Sequence, residues 1–223
     1  MKKRMAVCVQ VFLILLTFSS YASAADWRFP VGLSYAGNFH KVVDFHEDYW
    51  EARGFDVDTS WQVPVGITFQ PYVEFDFGLG IGAGFGPITY ILTETDYYYY
   101  DDDDYYHHGD TETDFWNIPV NLNLRYSFIP KGGISPYIRG GISYNIADGD
   151  FVDKSKPGPF GAVGVEFSRK NAVGFGFEVG YDASEITFEA DRYTYSYYDD
   201  IYAYRYKKDI KPIGFFASIF AIF

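Results

Sequence analysis

The chain has 223 residues and a formal net charge of −12, and aromatic residues make up 22% of it. The acidic balance argues against nucleic acid as a partner, because nucleic-acid binding needs clustered Lys and Arg. The one cysteine, Cys8, lies near the N-terminus, so the rest of the chain offers neither disulfides nor thiolate metal ligands.

The first 24 residues have the composition of a secretory signal peptide. Cations at positions 2–4 precede an apolar core centred on residues 11–16, and small residues at 22–24 form a cleavage site. The apolar core is too short for a membrane-spanning helix. We therefore predict that residues 1–24 are removed and that residues 25–223 form one barrel domain.

Eight segments of the mature chain alternate apolar and polar residues with a period of two, which is typical of β-strands. They cover residues 27–35, 61–69, 72–86, 116–128, 137–146, 160–168, 173–181 and about 205–223. The clearest alternation, at 72–86, has a wholly apolar face opposite Glu74, Asp76 and a row of glycines. Pro119 falls on the polar face of the fourth segment and is expected to mark a bulge or a local break.

These apolar faces predict a closed barrel in lipid, because an open sheet edge is not stable there. The predicted fold class is therefore all-β, an eight-stranded antiparallel up-and-down transmembrane β-barrel. A soluble barrel with the two faces exchanged is the main alternative. The polar face here is mostly Gly, Ser, Asn and Pro, however, and not the Lys and Glu of a water-exposed exterior.

The connections between the predicted strands alternate between short and long. The short ones are Gln70-Pro71, residues 129–135 and Arg169-Lys170-Asn171. The long ones are residues 37–60, 87–114, 147–157 and 182–204. Outer-membrane barrels have short periplasmic turns and long outer loops. We therefore expect a bacterial outer-membrane protein with both termini in the periplasm.

The chain ends in F-F-A-S-I-F-A-I-F, with apolar residues at alternate positions before the final Phe223. This pattern resembles the signal read by the barrel-assembly machinery, so Phe223 is the expected assembly signal. Over residues 26–223 the chain is similar to the small eight-stranded outer-membrane barrels of the OmpA and OmpX type. OmpW-like barrels, which the resemblance implies pass small apolar molecules, have a similar size. The wall-anchoring role of full-length OmpA-type proteins is not expected, because no peptidoglycan-binding domain follows Phe223.

Seven charged residues occupy inward positions at the end of the barrel with the short connections, which we call the turn end. They are Arg28, Glu74, Asp76, Arg125, Arg139, Glu166 and Glu178. An unpaired buried charge costs several kcal/mol. We therefore expect a network centred on Arg125 and Arg139 that reaches Glu74 or Asp76 on one side and Glu166 on the other. It would plug this half of the lumen, while the glycine-lined half stays open.

The long connections contain 24 of the 30 acids and all four histidines. In the second connection, a hairpin about its centre would bring Glu94 near Glu112 and Asp96 near Asp110, and these like charges would repel.

A bound divalent cation would remove this repulsion. The candidate ligands are His107, His108, Asp101 and Asp102. The alternative is a solvated acidic tract without a metal. The spacing matches no known ligand set, so we assign neither a metal nor a cofactor.

Tyrosines alternate on both sides of Asp199-Asp200 in the fourth connection. A two-residue turn at these aspartates would create three Tyr–Tyr cross-strand pairs: 197 with 202, 195 with 204 and 193 with 206. Because Tyr offers a large contact area at a small entropy cost, we predict a rigid, tyrosine-faced hairpin that acts as a binding surface.

These features favour a non-enzymatic, monomeric barrel in outer-membrane lipid. Its acidic, tyrosine-rich loops would bind an unknown extracellular partner or support the envelope. The alternative is a narrow conduit for a small apolar solute, since eight strands enclose only side chains or one small ligand. A lipid-modifying enzyme is less favoured, because no Ser-His-acid spacing stands out.

Overall fold

The protein forms a closed barrel of eight antiparallel staves, as the sequence predicted. The structure, a computed structural model, describes residues 25–51, 56–100, 106–167, 173–195 and 201–223. The proposed signal peptide and the predicted turn at Arg169-Lys170-Asn171 lie outside these residues. Each stave is one pass along the barrel, and several staves consist of two or three consecutive strands.

The strands are numbered in chain order. The first four staves are β1 (Ala25–Arg28) with β2 (Pro30–Ala36); β3 (Asp56–Val63) with β4 (Val65–Phe69) and β5 (Tyr72–Phe75); β6 (Leu79–Phe85) with β7 (Thr89–Tyr100); and β8 (Tyr106–Ser127). The last four are β9 (Ile134–Gly149); β10 (Val152–Lys156) with β11 (Gly158–Phe167); β12 (Gly174–Asp182) with β13 (Glu185–Tyr195); and β14 (Ile201–Ile210) with β15 (Gly214–Ile222).

The barrel closes because β15 pairs with β2. Around the barrel the order is β2, β4, β6, β8, β9, β11, β12 and β15. A helix, α1 (His40–Glu51), follows β2. Among the described residues, no helix is both long enough and apolar enough to cross a membrane.

Residues 72–86 form a hairpin and not the single strand that their alternation predicted. β5 ends at Phe75 and β6 begins at Leu79, and the two strands pair antiparallel. Gly78 N–H donates a 2.8 Å hydrogen bond to the Phe75 carbonyl. Gly78 has a φ of 90°, which only glycine adopts readily. The apolar period continues through the turn, so periodicity alone did not reveal it.

Prolines mark most of the points at which a stave is interrupted. Strand pairing stops at Pro64, Pro87, Pro157 and Pro212, because proline has no N–H to donate to a ladder. Gln70-Pro71 is another such interruption, between β4 and β5 of one stave. The prediction of a turn at this position was wrong.

Pro119 does not break its own strand, contrary to the prediction. β8 runs through it, and Pro119 pairs with Asn145 of β9. On the other side, the Pro119 carbonyl accepts a 2.7 Å hydrogen bond from Gly86 N–H, where β6 has just ended. The missing N–H therefore faces a gap in the neighbouring stave, and the interruption occurs there instead.

The four predicted long loops contain regular structure. Residues 37–60 include α1 and part of β3, and residues 87–114 include β7 and the start of β8. Residues 147–157 include β10, and residues 182–204 include β13. We predicted loops because these segments are polar. A strand that extends beyond the lipid can have a polar outer face and still pair with its neighbours. Polarity therefore did not show where the strands end.

The fourth connection is a hairpin, but its register differs from the predicted one. Tyr195 pairs with Ile201, and Tyr193 pairs with Ala203. The pairs predicted for 193 and 195 are therefore absent, and residue 197 lies outside the described part of the chain. The register is shifted by three residues. An odd shift places the tyrosines of one strand opposite non-tyrosine residues of the other.

The outer face of the barrel is apolar on every stave. Exposed residues include Leu33, Ile67, Ile81, Leu122, Ile142, Val163, Phe177 and Ile219. Their neighbours in sequence point into the lumen, where Ser34, Thr68, Asn123, Ser143, Glu178 and Ser218 are buried. This apolar exterior around a polar interior is the arrangement of a barrel in lipid, and it contradicts the soluble alternative.

Candidate functional site

Arg125 lies inside the turn end of the lumen and pairs with two carboxylates. Its Nη2 lies 2.7 Å from Glu166 Oε1, and its Nε lies 4.0 Å from Glu74 Oε2. The Arg125 guanidinium carbon also lies 4.2 Å from the ring centre of Tyr72 and 3.5 Å from that of Tyr137. The cation therefore has carboxylate partners and two aromatic rings, which compensates for its removal from water.

Hydroxyl groups complete the pairing of the two carboxylates. Tyr72 OH donates to both oxygens of Glu166, at 2.9 and 3.0 Å. Ser127 Oγ donates to Glu74 Oε2 at 2.7 Å. Buried ion pairs are stable only when such hydrogen bonds satisfy the remaining lone pairs.

A second ion pair joins Arg139 and Glu178. Arg139 Nε and Nη2 donate to the two oxygens of Glu178, at 2.6 and 2.5 Å, which is the bidentate geometry that favours Arg. Tyr137 OH donates to Glu178 at 2.8 Å, and Arg139 Nη1 donates to Gln70 Oε1 at 2.8 Å. Because Tyr137 also stacks on Arg125, the two pairs form one continuous luminal network.

Five of the predicted luminal charges lie in this network: Glu74, Arg125, Arg139, Glu166 and Glu178. Asp76 is not among them: its side chain is 70% exposed in the β5–β6 turn and pairs with Lys131 at 3.3 Å. Arg28 contacts Asp26 at 3.5 Å on β1. Asp76 was misplaced because residues 72–86 were read as one strand, which put a turn residue into the lumen.

Sequence reasoning missed the uncharged members of the luminal network. They are Gln70, Tyr72, Ser127 and Tyr137. Each lies two residues along the chain from a charged member or from another uncharged member of the network. This spacing places the two residues on the same face of the strand. Tyr72 precedes Glu74 in this way, and Tyr137 precedes Arg139. That spacing was the signal in the sequence that pointed to them.

The luminal glycines are close to neighbouring groups and do not form an open half. In the row at 72–86, a Cβ at Gly84 would lie 2.2 Å from the Phe69 carbonyl oxygen. A Cβ at Gly176 would lie 2.4 Å from the ring of Phe220, and one at Gly164 would lie 2.5 Å from the ring of Tyr137. Two cavities of about 20 Å³ each lie in the lumen, which is room for roughly one water molecule in each. The prediction of an open glycine-lined vestibule was therefore wrong.

The other half of the lumen, at what we call the loop end, contains an apolar core around α1. Its members are buried and come from β2, α1, β7, β8, β13, β14 and the adjoining turns: Ala36, Phe39, Val42, Val43, Phe45, Ile91, Phe115, Ile186, Phe188, Ala190, Ile210 and Ile213. The sequence analysis did not predict this helix. A helical period was nevertheless present in the sequence, in the spacing of Val42, Val43, Phe45, His46 and Trp50.

His46 is the polar residue at the centre of the loop-end core. Its side chain is fully buried, and its Nδ1 lies 3.1 Å from Thr113 Oγ1. The rings of Phe115, Phe151 and Phe188 lie 5.1 to 6.4 Å from its own. Burial lowers the pKa of His46 to about 4, so the imidazole is neutral at physiological pH.

Acidic residues align in two rows across β3, β7 and β8. Asp96 pairs with Asp56 on one side and with Asp110 on the other. Glu94 likewise pairs with Asp58 and Glu112. The pairing of Glu94 with Glu112 and of Asp96 with Asp110 is the one that the sequence predicted. We call these six residues the acidic rows.

The candidate metal site stays a prediction, because only the backbone pairing of two of its four residues is described. His107 and His108 pair with Tyr99 and Tyr98 along the β7–β8 ladder, whereas Asp101 and Asp102 lie outside the described residues. Within the described part of the chain, no group of three or more His, Cys, Asp or Glu has the arrangement of a metal site.

Phe223, the predicted assembly signal, follows β15 at the turn end, and its carbonyl accepts a 3.0 Å hydrogen bond from Phe29 N–H.

An eight-stave closed barrel with an apolar exterior and a polar lumen that contains paired charges defines an integral membrane β-barrel. Residues 11–207 match the family described as "Outer membrane protein beta-barrel domain". The chain belongs to this family, and it is therefore an outer-membrane β-barrel protein.

Comparison with solved structures finds outer-membrane proteins at low sequence identity. OprG, an outer membrane protein from Pseudomonas aeruginosa, shares 13% identity over 89% of this chain and 95% of its own, with a TM-score of 0.50. The outer membrane protein AlkL shares 15% over 90% of each chain, with a TM-score of 0.41. Neisserial surface protein A shares 12% over 90% of this chain and 96% of its own, with a TM-score of 0.32. Comparison with curated proteins finds no match.

Proposed function

We propose that this protein is a closed, non-enzymatic barrel that presents an acidic sheet outside the cell to a cationic partner. The acidic rows carry this proposal. Cβ atoms of paired residues on neighbouring strands lie about 4.5–5.5 Å apart, so like charges in such pairs repel. The stretch 89–114 contains no Lys or Arg to compensate. A partner that supplies several cations would relieve the repulsion, and this relief would favour its binding.

The orientation is part of the proposal. The connections at the turn end are short, and the staves at the loop end extend far beyond the apolar band. Short turns face the periplasm in outer-membrane barrels and long connections face outward. The loop end, with the acidic rows, then lies outside the cell, and both termini lie in the periplasm.

Binding of a lysine-only peptide to the refolded barrel tests the proposal. The triple variant Asp96→Asn, Asp110→Asn, Glu112→Gln should bind it on the order of ten-fold more weakly, because roughly 0.5 kcal/mol is lost per pair. The control, Asp44→Asn, Asp48→Asn, Glu51→Gln, removes the same charge from the exposed face of α1 and should retain binding.

Equal losses in the two triple variants would show that only net charge matters, and this outcome would contradict a role for the rows. Full binding by the first variant would contradict it as well. Peptide binding that appears only with added calcium would indicate a metal site in place of a peptide surface.

A conduit for a small apolar solute remains the second candidate, and the loop-end core favours it. That core would form an apolar chamber if α1 moved away. Transport would also require the luminal network to separate, since it lies between the core and the turn end. Steady conductance in planar bilayers, or uptake of an apolar dye into vesicles that contain the refolded barrel, would favour the conduit. Hydrolysis of lipid by the pure barrel would instead indicate an enzyme.

A further inference from the structure

Cations at the loop end are concentrated on one side of the barrel, away from the acidic rows. The stretch 89–114 has none, whereas the sheet formed by β10, β13 and β14, with the residue that follows it, has a dense set. Those with described side chains are Lys154, Lys156, Arg205, Lys207, Lys208 and Lys211. This three-stranded sheet continues upward from β11, β12 and β15, so it stands directly above part of the lipid-facing wall.

The lowest of these cations lie just above the last apolar rings. Tyr181 and Phe215 form an outer aromatic pair, with ring centres 5.0 Å apart, and Phe215 is 70% exposed. Lys211 lies four residues beyond Phe215. Each residue climbs about 2–2.5 Å at the strand tilts of a membrane barrel. Because residues 211–213 are not in a strand, Lys211 is at most about 10 Å above the rings, within reach of the lipid headgroups.

Near the membrane, the cations of this sheet outnumber the acids. Lys156 Nζ and Lys211 Nζ share one carboxylate, that of Glu185, at 4.0 and 3.7 Å. Lys156 also contacts Asp209, and Lys154 is exposed in the neighbouring row. Three ammonium groups are thus compensated by two carboxylates, which leaves an excess positive charge.

Farther from the membrane, the balance is reversed. Lys207 lies 2.5 Å from Glu189 and 3.1 Å from Asp153. Arg205 lies 3.0 Å from Glu189 and 4.0 Å from Asp191. Two cations therefore face three carboxylates. The sign of the charge on this face changes with height, and the positive side is the one next to the lipid.

We propose that Lys154, Lys156 and Lys211 form a binding site for the phosphate groups of lipids in the adjacent leaflet. Exposed ion pairs contribute little to stability, so these lysines can exchange a carboxylate for a phosphate at little cost. A phosphate monoester carries more negative charge than one carboxylate. The site continues the apolar lipid-facing wall, so one lipid can contact both and fix the height of the barrel. The proposal depends on the placement in the membrane but not on a cationic partner at the acidic rows.

Native mass spectrometry of the refolded barrel, released from mixed micelles of phosphatidylcholine and phosphatidic acid, tests the site. The variant Lys156→Gln, Lys211→Gln should retain on the order of ten-fold less phosphatidic acid, since each lysine near a lipid surface contributes about 1 kcal/mol. The matched control Arg205→Gln, Lys207→Gln removes the same charge from the distal part of the sheet and should retain as much as the unchanged protein.

An equal loss of bound phosphatidic acid in the two double variants, or no loss in the first, would contradict the proposed site. Retention of phosphatidylcholine equal to that of phosphatidic acid would contradict it as well. Excess inorganic phosphate should displace little of the lipid, because the acyl chains also contribute to binding. Complete displacement would indicate a site for free phosphate instead. The lysine-only peptide should bind both double variants equally, so failure here is separable from failure of the proposed function. Heat-modifiable migration in gels confirms that each variant is folded.

Discussion

The two halves of the lumen are filled by opposite chemistry. At the turn end, within the lipid band, the interior contains the luminal network of arginines, carboxylates and hydroxyls. At the loop end, the interior is an apolar core around α1. The chemistry of the outer surface changes at the same level. Leu, Ile and Phe are exposed at the turn end, whereas ion pairs between neighbouring strands cover the surface at the loop end.

This inversion shows that the surroundings of a stave decide which of its faces is apolar. In lipid, apolar side chains gain nothing by moving inward, so the lumen takes the polar residues and must satisfy them internally. In water, the hydrophobic effect drives the apolar face inward, as in any soluble domain. The protein thus combines a membrane barrel and a water-exposed domain on the same eight staves.

The largest expected effect comes from breaking the luminal network. We expect Arg125→Ala to lower the free energy of unfolding by about 3–5 kcal/mol, because it leaves Glu166 and Glu74 buried without their cation. Urea unfolding of the refolded barrel, followed by tryptophan fluorescence, measures this change. The control Lys131→Ala removes the exposed partner of Asp76 and should cost at most about 1 kcal/mol. A similar cost for both variants would contradict a central role for Arg125.

A comparable but local effect is expected at the loop end. Phe45→Ala removes a buried ring that packs against Phe188 and Tyr206, and such a loss costs about 3–5 kcal/mol. Because the lipid-embedded staves do not depend on this ring, the amides of α1 should exchange hydrogen faster while those of β9 and β11 remain protected. Uniformly faster exchange would show instead that the two halves unfold together.

The loop-end core should also loosen in acid. Undocked His46 has the ordinary pKa of 6.5, whereas burial lowers it to about 4 in the docked helix. The docked state therefore binds fewer protons between these values. Docking should weaken as the pH falls from 6.5 to about 4 and change little below that, by about 3 kcal/mol in all.

Proteolysis of α1 as a function of pH measures this dependence. His46→Gln keeps a polar group near Thr113 but has no proton to gain, so it should lose most of the dependence in that window. The same profile in the protein and in His46→Gln would assign the effect to surface carboxylates.

The smallest expected effect tests the packing of rings on glycines. Gly176→Ala would place a Cβ 2.4 Å from the ring of Phe220, and such overpacking costs about 1–3 kcal/mol. Gly133→Ala is the control, because a Cβ at this position would meet nothing within 4 Å. Urea unfolding should separate the two variants. Equal stability would show that the lumen has more free space than the packing indicates.

Much of the membrane-embedded part was predictable from the sequence. Residues 137–146 and 173–181 alternate because one face of each strand meets lipid and the other meets the lumen, and a period of two has no other simple cause. The same parity placed Arg125, Arg139 and Glu166 inside. These features depend on local spacing, which a single sequence contains.

Only the tertiary structure decided the turn at Gly78, the helix α1 and the register of the β13–β14 hairpin. The alternation at 72–86 runs on through its turn, so the position of the reversal depends on where neighbouring strands end. The apolar face of α1 is short and becomes meaningful only because Phe115 and Phe188 converge on it from distant staves. The β13–β14 register follows from the pairing of Ile186 with Ile210 inside the loop-end core, and not from the tyrosines farther along the hairpin. Long-range packing sets all three features, and the local patterns at 72–86 and in α1 were compatible with more than one structure.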